Sequence, residues 1–341
     1  MEHFRNLRLD SPWLLFFVFL AMIHGVSWGF ADSYDHMSVV DVQTYVGLSE
    51  FDWDQHPVRR YRVIVPMLAA GVQFVLGPIL SAFSPQDFPG DFATIMSFLI
   101  VNNLLMSIYG LLVFYIVRST VISTAIWPAL MGVTAVLTSR WTAYIAGSAL
   151  VDSLFLVTIG LLLLGVLKKK LPLLILAIYL GPWAKESFIF FVPLLMFVDK
   201  KLWLRLGIHL LISGVIVFGF RYWFDQTIGA DFGASISRDV SHFGGIPDSL
   251  RRLFSVHGAY ELMSIGGAWN VFLVFGLFVA KIRKALFEKM NVLWWLFLGS
   301  ILFQALLSQE LARMFYMAAP LLAVMVAVFF EELVPSSPKV H

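Results

Sequence analysis

Long apolar stretches alternate with short polar ones along almost the whole chain. A transmembrane helix needs about 20 consecutive, mostly apolar residues. Eight stretches meet this requirement: 13–31, 93–117, 119–137, 142–167, 202–220, 264–280, 291–308 and 314–330. The pattern therefore predicts an all-α, polytopic transmembrane helical bundle that occupies the whole chain, 1–341, as a single membrane domain.

Two further apolar stretches are interrupted, and they raise the predicted count to about ten or eleven membrane elements. The stretch 63–83 contains a Gly-Pro pair in its second half. The stretch 171–198 is split by Lys185-Glu186 into two pieces of roughly 14 residues, each short for a full crossing. We expect the second stretch to be a hairpin of short or tilted helices.

The positions of lysine and arginine predict the orientation, because short cytoplasmic loops are enriched in both. The basic groups assigned to the cytoplasm lie at Arg5/Arg8, Arg118, Lys168–Lys170, Lys200/Lys201/Arg205 and Lys281/Arg283/Lys284/Lys289. This assignment places two long loops, 32–62 and 221–263, on the extracytoplasmic side. It also requires 63–83 to begin and end outside as a re-entrant segment; the alternative is that Arg118 lies outside and another span is miscounted.

Composition supports a membrane protein and excludes several other classes. Of the 341 residues, 59% are hydrophobic and 13% are charged, whereas soluble domains have about 25% charged residues. The chain has no cysteine, which excludes disulfides, thiolate metal sites and a cysteine nucleophile. It has neither a glycine-rich phosphate loop nor a basic, aromatic-rich patch outside the membrane boundaries, so nucleic acid is not an expected partner.

The first long loop carries the most informative polar pattern. Asp41, Tyr45 and Leu48 have the i, i+4, i+7 spacing of one helix face, which predicts an interfacial helix. Three arginines follow within four residues, Arg59, Arg60 and Arg62. Guanidinium groups bind phosphate through paired hydrogen bonds, so a lipid phosphate or pyrophosphate is a natural ligand. Interfacial anchoring is the alternative interpretation.

Other charged side chains lie at the predicted outer ends of spans. Lys185-Glu186 lies at the tip of the predicted hairpin, as an ion pair or facing a cavity. Asp152 lies about ten residues inside the 142–167 run, and an intramembrane carboxylate is a functional candidate. Glu310 and Arg313 have the i, i+3 spacing of a helical ion pair, and a role in a site is the second interpretation.

In their order and placement, these residues resemble those of the GT-C superfamily of polytopic glycosyltransferases, particularly its small bacterial members. The resemblance covers most of the chain as a pattern of motifs. It is carried by Asp41…Tyr45, Tyr61-Arg62-Val63-Ile64-Val65-Pro66, Ala149-Leu150-Val151-Asp152-Ser153-Leu154, Trp183-Ala184-Lys185-Glu186-Ser187 and Glu310…Arg313. The chain departs from the pattern in having no tight Asp-X-Asp early in the first loop, where only the late triplet Asp52-Trp53-Asp54 occurs.

The resemblance implies a GT-C-like fold and an inverting glycosyltransferase of cell-envelope glycan synthesis, in the bacterial inner membrane with its active site facing the periplasm. The implied partners are a polyprenyl-phosphate sugar donor and a glycan, lipid or protein acceptor; a divalent cation, Mg²⁺ or Mn²⁺, stays open. Asp41 is the first choice for the general base and Asp35 the second. The residues assigned to the donor phosphate are Arg59, Arg60, Arg62, Lys185 and Arg313. Those assigned to sugar or acceptor are Asp152, Glu186, Tyr45 and Glu310.

Three other functions are compatible with the same sequence. An O-antigen polymerase or ligase would depend on Arg251, Arg252 and His257 in the second long loop. A transporter or flippase of a lipid-linked or anionic solute would be favoured by inverted repeats, and the two halves of this chain differ in loop length and charge layout. A structural assembly subunit is the remaining alternative.

Overall fold

The chain forms a bundle of helices, and no strand occurs among the residues that the computed structural model describes, which are 10–86, 88, 91–121, 125–230, 242–308 and 310–333. In chain order the α-helices are α1 Pro12–Ser33, α2 Val40–Ser49, α3 Ile64–Ala82, α4 Phe92–Thr120, α5 Trp127–Leu137, α6 Arg140–Gly147, α7 Asp152–Lys168, α8 Leu171–Ala184, α9 Lys200–Ile228, α10 Ile246–Leu253, α11 Val256–Gly266, α12 Asn270–Phe278, α13 Ala280–Lys289, α14 Val292–Ser308, α15 Leu311–Phe315 and α16 Ala319–Leu333. The 3₁₀ helices are His36–Ser38, Arg59–Tyr61, Glu186–Phe197, His242–Gly245, Gly267–Trp269 and Tyr316–Ala318.

Several of these helices are long and apolar enough to cross a bilayer. Within the described ranges there are six such segments, and seven if α13 and α14, which meet at an angle of 81°, count as one bent span. The six are Pro12–Ser33, Ile64–Ala82, Phe92–Thr120, Lys200–Ile228, Val256–Phe278 and Leu311–Leu333. Shorter apolar helices, Trp127–Leu137, Leu171–Ala184 and Glu186–Phe197, lie among them. The expectation of a helical membrane protein is therefore confirmed.

The helices differ in how much apolar surface they bury. Most side chains of α4 and α7 are buried, and so are those of the final span, whereas few side chains of α3 and α9 are buried. An apolar helix that is exposed in the isolated chain has the surface required to contact lipid. The centre of the bundle is thus built from α4, α7 and α16, with α3 and α9 at its periphery.

The segment 63–83 differs from the predicted re-entrant form. It is one continuous helix, α3, with Pro78 inside it. Phe88, just after α3, stacks on His36, just after α1, which places the α3–α4 connection at the end of the bundle where α1 ends. Helices α1 and α4 pack antiparallel, since Ser27 donates to Asn103 and the earlier residue Phe19 lies beside the later residue Gly110. Arg118 therefore lies at the same end of the bundle as the start of α1.

The run 142–167 is broken, and this changes the position of Asp152. Helix α6 ends at Gly147 and α7 begins at Asp152. The amide of Asn102 donates hydrogen bonds to the backbone oxygens of Ser148 and Leu150 at 2.8 and 3.1 Å, so the break is held from α4. Asp152 is therefore in the first turn of a helix, where the helix dipole favours a negative charge, and not in the middle of a continuous span.

Candidate active site

The charged residues of four separate chain segments converge on one cavity of about 460 Å³. The segments are α2, the 3₁₀ helix Arg59–Tyr61, the junction of α8 with the 3₁₀ helix Glu186–Phe197, and the start of α15. The charged side chains that line the cavity are Asp41, Arg59, Arg62, Lys185, Glu186, Glu310 and Arg313. Seven of the eleven residues predicted for the site therefore line a single cavity.

Arg313 is the centre of the charge cluster. Its guanidinium contacts Asp41 at 2.8 Å, Asp152 at 2.5 Å and Glu310 at 2.9 Å, while its side chain is only 7% exposed. Arg59 binds the other carboxylate oxygen of Asp41 at 2.7 Å. A buried charge is costly unless it is paired and hydrogen-bonded. Asp41 and Arg313 therefore hold each other in the wall of the cavity.

The pKa of Asp41 reflects this pairing. Burial would raise its pKa, but attraction by Arg313 and then by Arg59 outweighs burial and holds the pKa below the ordinary value. The carboxylate is consequently ionised at neutral pH. Asp41 can thus accept a proton from a bound group once a partner cation is drawn away.

Lys185 is the least well paired cation of the cavity. Its ammonium lies 3.6 Å from an oxygen of Asp152 and 3.6 Å from the sulfur of Met314. It also lies 5.7 Å from the centre of the Phe155 ring. Ammonium–carboxylate hydrogen bonds are normally 2.7–2.9 Å long. Lys185 therefore retains hydrogen-bonding capacity for an anion in the cavity.

Arg62 also lines the cavity. It forms an ion pair with Glu186, and its Nη1 donates to the hydroxyl of Tyr45 at 3.0 Å. Arg221 approaches the same Glu186 carboxylate at 3.6 Å. Burial raises the pKa of Tyr45 to about 12, so its phenol stays protonated at neutral pH. Tyr45 itself is fully buried and does not line the cavity, so it orients Arg62 from behind.

The arginine-rich turn has two faces. Arg59 and Arg62, three residues apart, lie on the same side of a 3₁₀ turn and line the cavity. Arg60 lies on the opposite side, where it contacts Asp225 of α9 at 2.7 Å, and the Tyr61 hydroxyl donates to the same carboxylate. The structure thus does not bring Arg60 to the cavity: its charge is neutralised by Asp225, and it anchors the turn to α9.

Two carboxylates of the predicted set also lie outside the cavity lining. Asp35 is exposed in the connection after α1, and its backbone oxygen accepts a hydrogen bond from Ser38. Asp152 is buried behind the wall, between Arg313 and Lys185. Of the two acids considered for the base, only Asp41 lines the cavity, and Asp152 is placed to hold the cations.

Sequence reasoning missed several residues of the site. His56, Ser187 and Gln304 line the cavity, and Arg221 and Asp225 support it from α9. Gln304 carried a usable signal, because it is a polar residue inside the apolar run 291–308. Asp225 lies beyond the predicted span 202–220, and only the continuation of α9 to Ile228 shows its position.

One wall of the cavity is apolar. Ile189 and Phe190 of the 3₁₀ helix, Leu307 of α14 and Phe243 supply this wall. Ile189 and Phe243 are exposed, and Phe190 packs edge-on against Phe303. The cavity lining therefore combines cations and carboxylates with apolar side chains, two of which, Ile189 and Phe243, are exposed.

The carboxylates around the cavity are committed to cations. Asp41, Asp152 and Glu186 contact arginine or lysine groups. Across the described ranges, no group of three or more histidine, aspartate or glutamate side chains has an arrangement suited to a metal ion. The late triplet Asp52-Trp53-Asp54 does not line the cavity, and Asp52 bonds to its own neighbours. The donor set around the cavity fits an anion better than Mg²⁺ or Mn²⁺.

Similarity to known proteins adds nothing to this geometry. Comparison of the chain with protein-family models, with curated proteins and with solved structures finds no match. The assignment of a function therefore rests on the residues around the cavity.

Proposed function

We propose that the chain is an inverting membrane glycosyltransferase that moves a sugar from a polyprenyl-phosphate donor to an acceptor hydroxyl. In this proposal the fold is GT-C-like with ten to eleven membrane elements. The cavity faces the periplasmic side of a bacterial inner membrane, and the acceptor is a glycan, a lipid or a protein. The single observation that carries the proposal is that Asp41 lines one cavity together with Arg59, Arg62, Lys185 and Arg313.

The cations match the leaving group of this reaction. When the bond between the anomeric carbon and the phosphate oxygen breaks, both bonding electrons stay on the polyprenyl phosphate. The negative charge of the phosphate therefore increases. Preorganised guanidinium and ammonium groups stabilise charge that develops in the transition state. Lys185 has hydrogen-bonding capacity to spare, and Arg59 is the more exposed partner of Asp41, with 27% of its side chain accessible. These two cations are the best placed to bind the phosphate.

Asp41 supplies the base. The acceptor oxygen forms the new bond to the anomeric carbon on the face opposite the phosphate, and its proton passes to the Asp41 carboxylate. General bases work best when their pKa is near the working pH. Binding of the donor phosphate to Arg59 would remove one of the attractions that depress the pKa of Asp41. The donor would thereby make Asp41 a stronger base at the moment when it is needed.

The apolar wall supports a lipid-linked donor over a soluble one. Phe190 and Ile189 continue from the cavity to the exposed apolar surface of the helix Glu186–Phe197. A polyprenyl chain in the bilayer could lie against this surface while its phosphate reaches the cations. A water-soluble nucleotide sugar would gain nothing from such an opening.

A transfer assay tests the proposal. Purified protein in liposomes receives undecaprenyl phosphate bearing a labelled hexose, with octyl glucoside and octyl mannoside as acceptor probes. We expect labelled octyl glycoside and free undecaprenyl phosphate to appear together. Asp41→Asn should lower the rate by about 10²–10⁴-fold, the usual contribution of a general base. Asp54→Asn, an exposed acid of the same loop, is the matched control and should retain the wild-type rate.

The other functions give different results in the same assay. If the labelled donor crossed the vesicle membrane without chemical change, the protein would be a transporter and not an enzyme. Loss of transfer in Arg251→Ala with activity kept in Asp41→Asn would favour the polymerase or ligase. The geometry does not favour the latter, because Arg251 pairs with Asp248 and Arg252 with Glu261 outside the cavity.

A further inference from the structure

Gln304 lines the cavity and has an unpaired amide oxygen. The residue lies on α14 and is only 2% exposed. Its Nε2 donates to the hydroxyl oxygen of Ser187 at 2.6 Å and lies 3.6 Å from the sulfur of Met314. Its Oε1 is buried and has no hydrogen-bond partner. Buried polar atoms nearly always have a partner, so an orphan in a cavity wall indicates a ligand group that is not part of the chain.

The surroundings of Gln304 define which ligand group fits. Ser187 accepts from Gln304 and keeps its own O–H available as a donor. Lys185 is two residues before Ser187, and its ammonium contacts the same Met314 sulfur that Gln304 contacts. The four side chains line one continuous patch of the cavity. This patch therefore offers both an acceptor and a donor directly beside a cation.

The charge of the patch excludes ionic ligands at the Gln304 end. A phosphate or carboxylate oxygen would meet the amide oxygen acceptor to acceptor, which is repulsive. A ligand ammonium would be repelled by Lys185. A hydroxyl group both donates and accepts, so it can donate to Gln304 Oε1 and accept from the Ser187 O–H.

We infer that Gln304 and Ser187 form a subsite for a hydroxyl of the donor sugar, next to the phosphate held by Lys185. This inference rests on the proposed glycosyltransferase function. It makes Gln304 a residue that determines which sugar the protein accepts. It also explains why a glutamine occurs within the apolar run of α14, facing the cavity.

The hydrogen bond from Gln304 to Ser187 could also be the reason why Gln304 occurs at this position. The test must therefore distinguish a structural role of Gln304 from a role in sugar binding. That bond joins α14 to the helix Glu186–Phe197 and needs only one end of the amide. A purely structural Gln304 would affect every ligand equally through stability. A sugar subsite affects only ligands that carry the sugar.

The test compares two lipids that differ only in the sugar. Undecaprenyl phosphate and undecaprenyl phosphate-hexose, in glucose, galactose and mannose forms, are titrated against detergent-solubilised protein, and affinity is measured by thermal shift. The variants are Gln304→Leu and Ser187→Ala. Gln73→Leu is the matched control, since Gln73 bonds to Thr94 away from the cavity.

We expect wild type to bind its preferred hexosyl lipid roughly tenfold more tightly than the sugar-free lipid, which corresponds to about 1.4 kcal/mol. Gln304→Leu should bind both lipids with the wild-type affinity for the sugar-free form. Ser187→Ala should lose part of the preference, and Gln73→Leu none. The inference is overturned if wild type shows no preference for any hexosyl lipid, or if Gln304→Leu weakens both lipids equally. Failure of wild type to bind either lipid would overturn the proposed function and the subsite with it.

Discussion

Two of the mixed-charge clusters in the described part of the chain differ sharply in burial. Around the cavity, Arg313 and Asp41 are 2.8 Å apart, with side chains 7% and 10% exposed. On α10, Arg251 and Asp248 are 3.5 Å apart, with side chains 84% and 78% exposed. In sequence both clusters consist of acids and bases, which come from four separate segments for the cavity and from one segment for α10. In the structure, the side chains of the cavity cluster are buried, and those of the α10 cluster are exposed to solvent.

The difference matters because burial changes what an ion pair costs. An exposed pair contributes about 0–1 kcal/mol and is screened by salt. A buried pair must recover a large desolvation penalty, and replacing it with apolar residues is often neutral or stabilising. A buried network of several charges in a cavity wall is therefore more readily explained by function than by stability. The exposed pairs of the α10 cluster have no large desolvation penalty to recover, so they need no functional explanation.

The largest expected effect is on stability. Replacing Arg313 with methionine leaves the buried Asp41 and Asp152 without their shared partner. The free energy of unfolding should fall by about 3 kcal/mol or more, as for other broken buried pairs. Arg251→Met, the matched change in the exposed cluster, should stay within about 0.5 kcal/mol of wild type. Unfolding in mixed micelles measures both, and equal losses would remove the distinction between the clusters.

The next prediction concerns the pH dependence of activity, which should reflect the pairing of Asp41 in the buried cluster. A carboxylate with a depressed folded-state pKa contributes its stabilisation above its unfolded pKa and loses it as the pH falls through the folded value. Since Arg313 and Arg59 hold the pKa of Asp41 below the ordinary value of 3.8 in the donor-free protein, kcat/KM, which reports the groups of the free enzyme, should show no acid limb from Asp41 between pH 5 and 7. Arg59→Gln should move that limb to higher pH. An unchanged limb in this variant would refute the assigned cause.

A smaller effect is expected behind the cavity wall. Tyr45→Phe removes the hydroxyl that accepts from Arg62. The loss of one such bond in a buried site should cost about 1 kcal/mol of unfolding free energy. Tyr260→Phe removes a hydroxyl from an exposed side chain of α11 and should have no measurable effect. Thermal unfolding of both variants decides the comparison; a similar shift in the two would argue against a supporting role for Tyr45.

The sequence predicted the members of the cavity that follow or precede apolar runs. Lys185 and Arg313 adjoin predicted apolar runs and Asp41 lies on the predicted interfacial helix, so each is conspicuous as a charge at the membrane boundary. The pairing itself was not predictable: Lys185 and Glu186, adjacent in sequence, have different partners. Partners separated by more than a hundred residues depend on how the helices pack, and a local pattern contains no information on this.

The sequence also did not predict where the backbone of a helix is interrupted. The interruption between Gly147 and Asp152 lies in a stretch of small and apolar residues that looks continuous in sequence. It is stabilised by Asn102, some 46 residues earlier along the chain. The two faces of the Arg59–Arg62 turn similarly depend on Asp225 of α9. In both cases a distant polar side chain determines the local geometry.

The affinity for a lipid phosphate tests the central claim most directly. Undecaprenyl phosphate is titrated against wild type, Arg59→Gln and Arg251→Gln at fixed salt. A charge-assisted hydrogen bond contributes about 1.5–3 kcal/mol, so Arg59→Gln should weaken binding by roughly 10–100-fold. Arg251→Gln should bind as wild type does. Equal affinities of all three proteins, or a loss only in Arg251→Gln, would contradict the assignment of the cavity as the phosphate site.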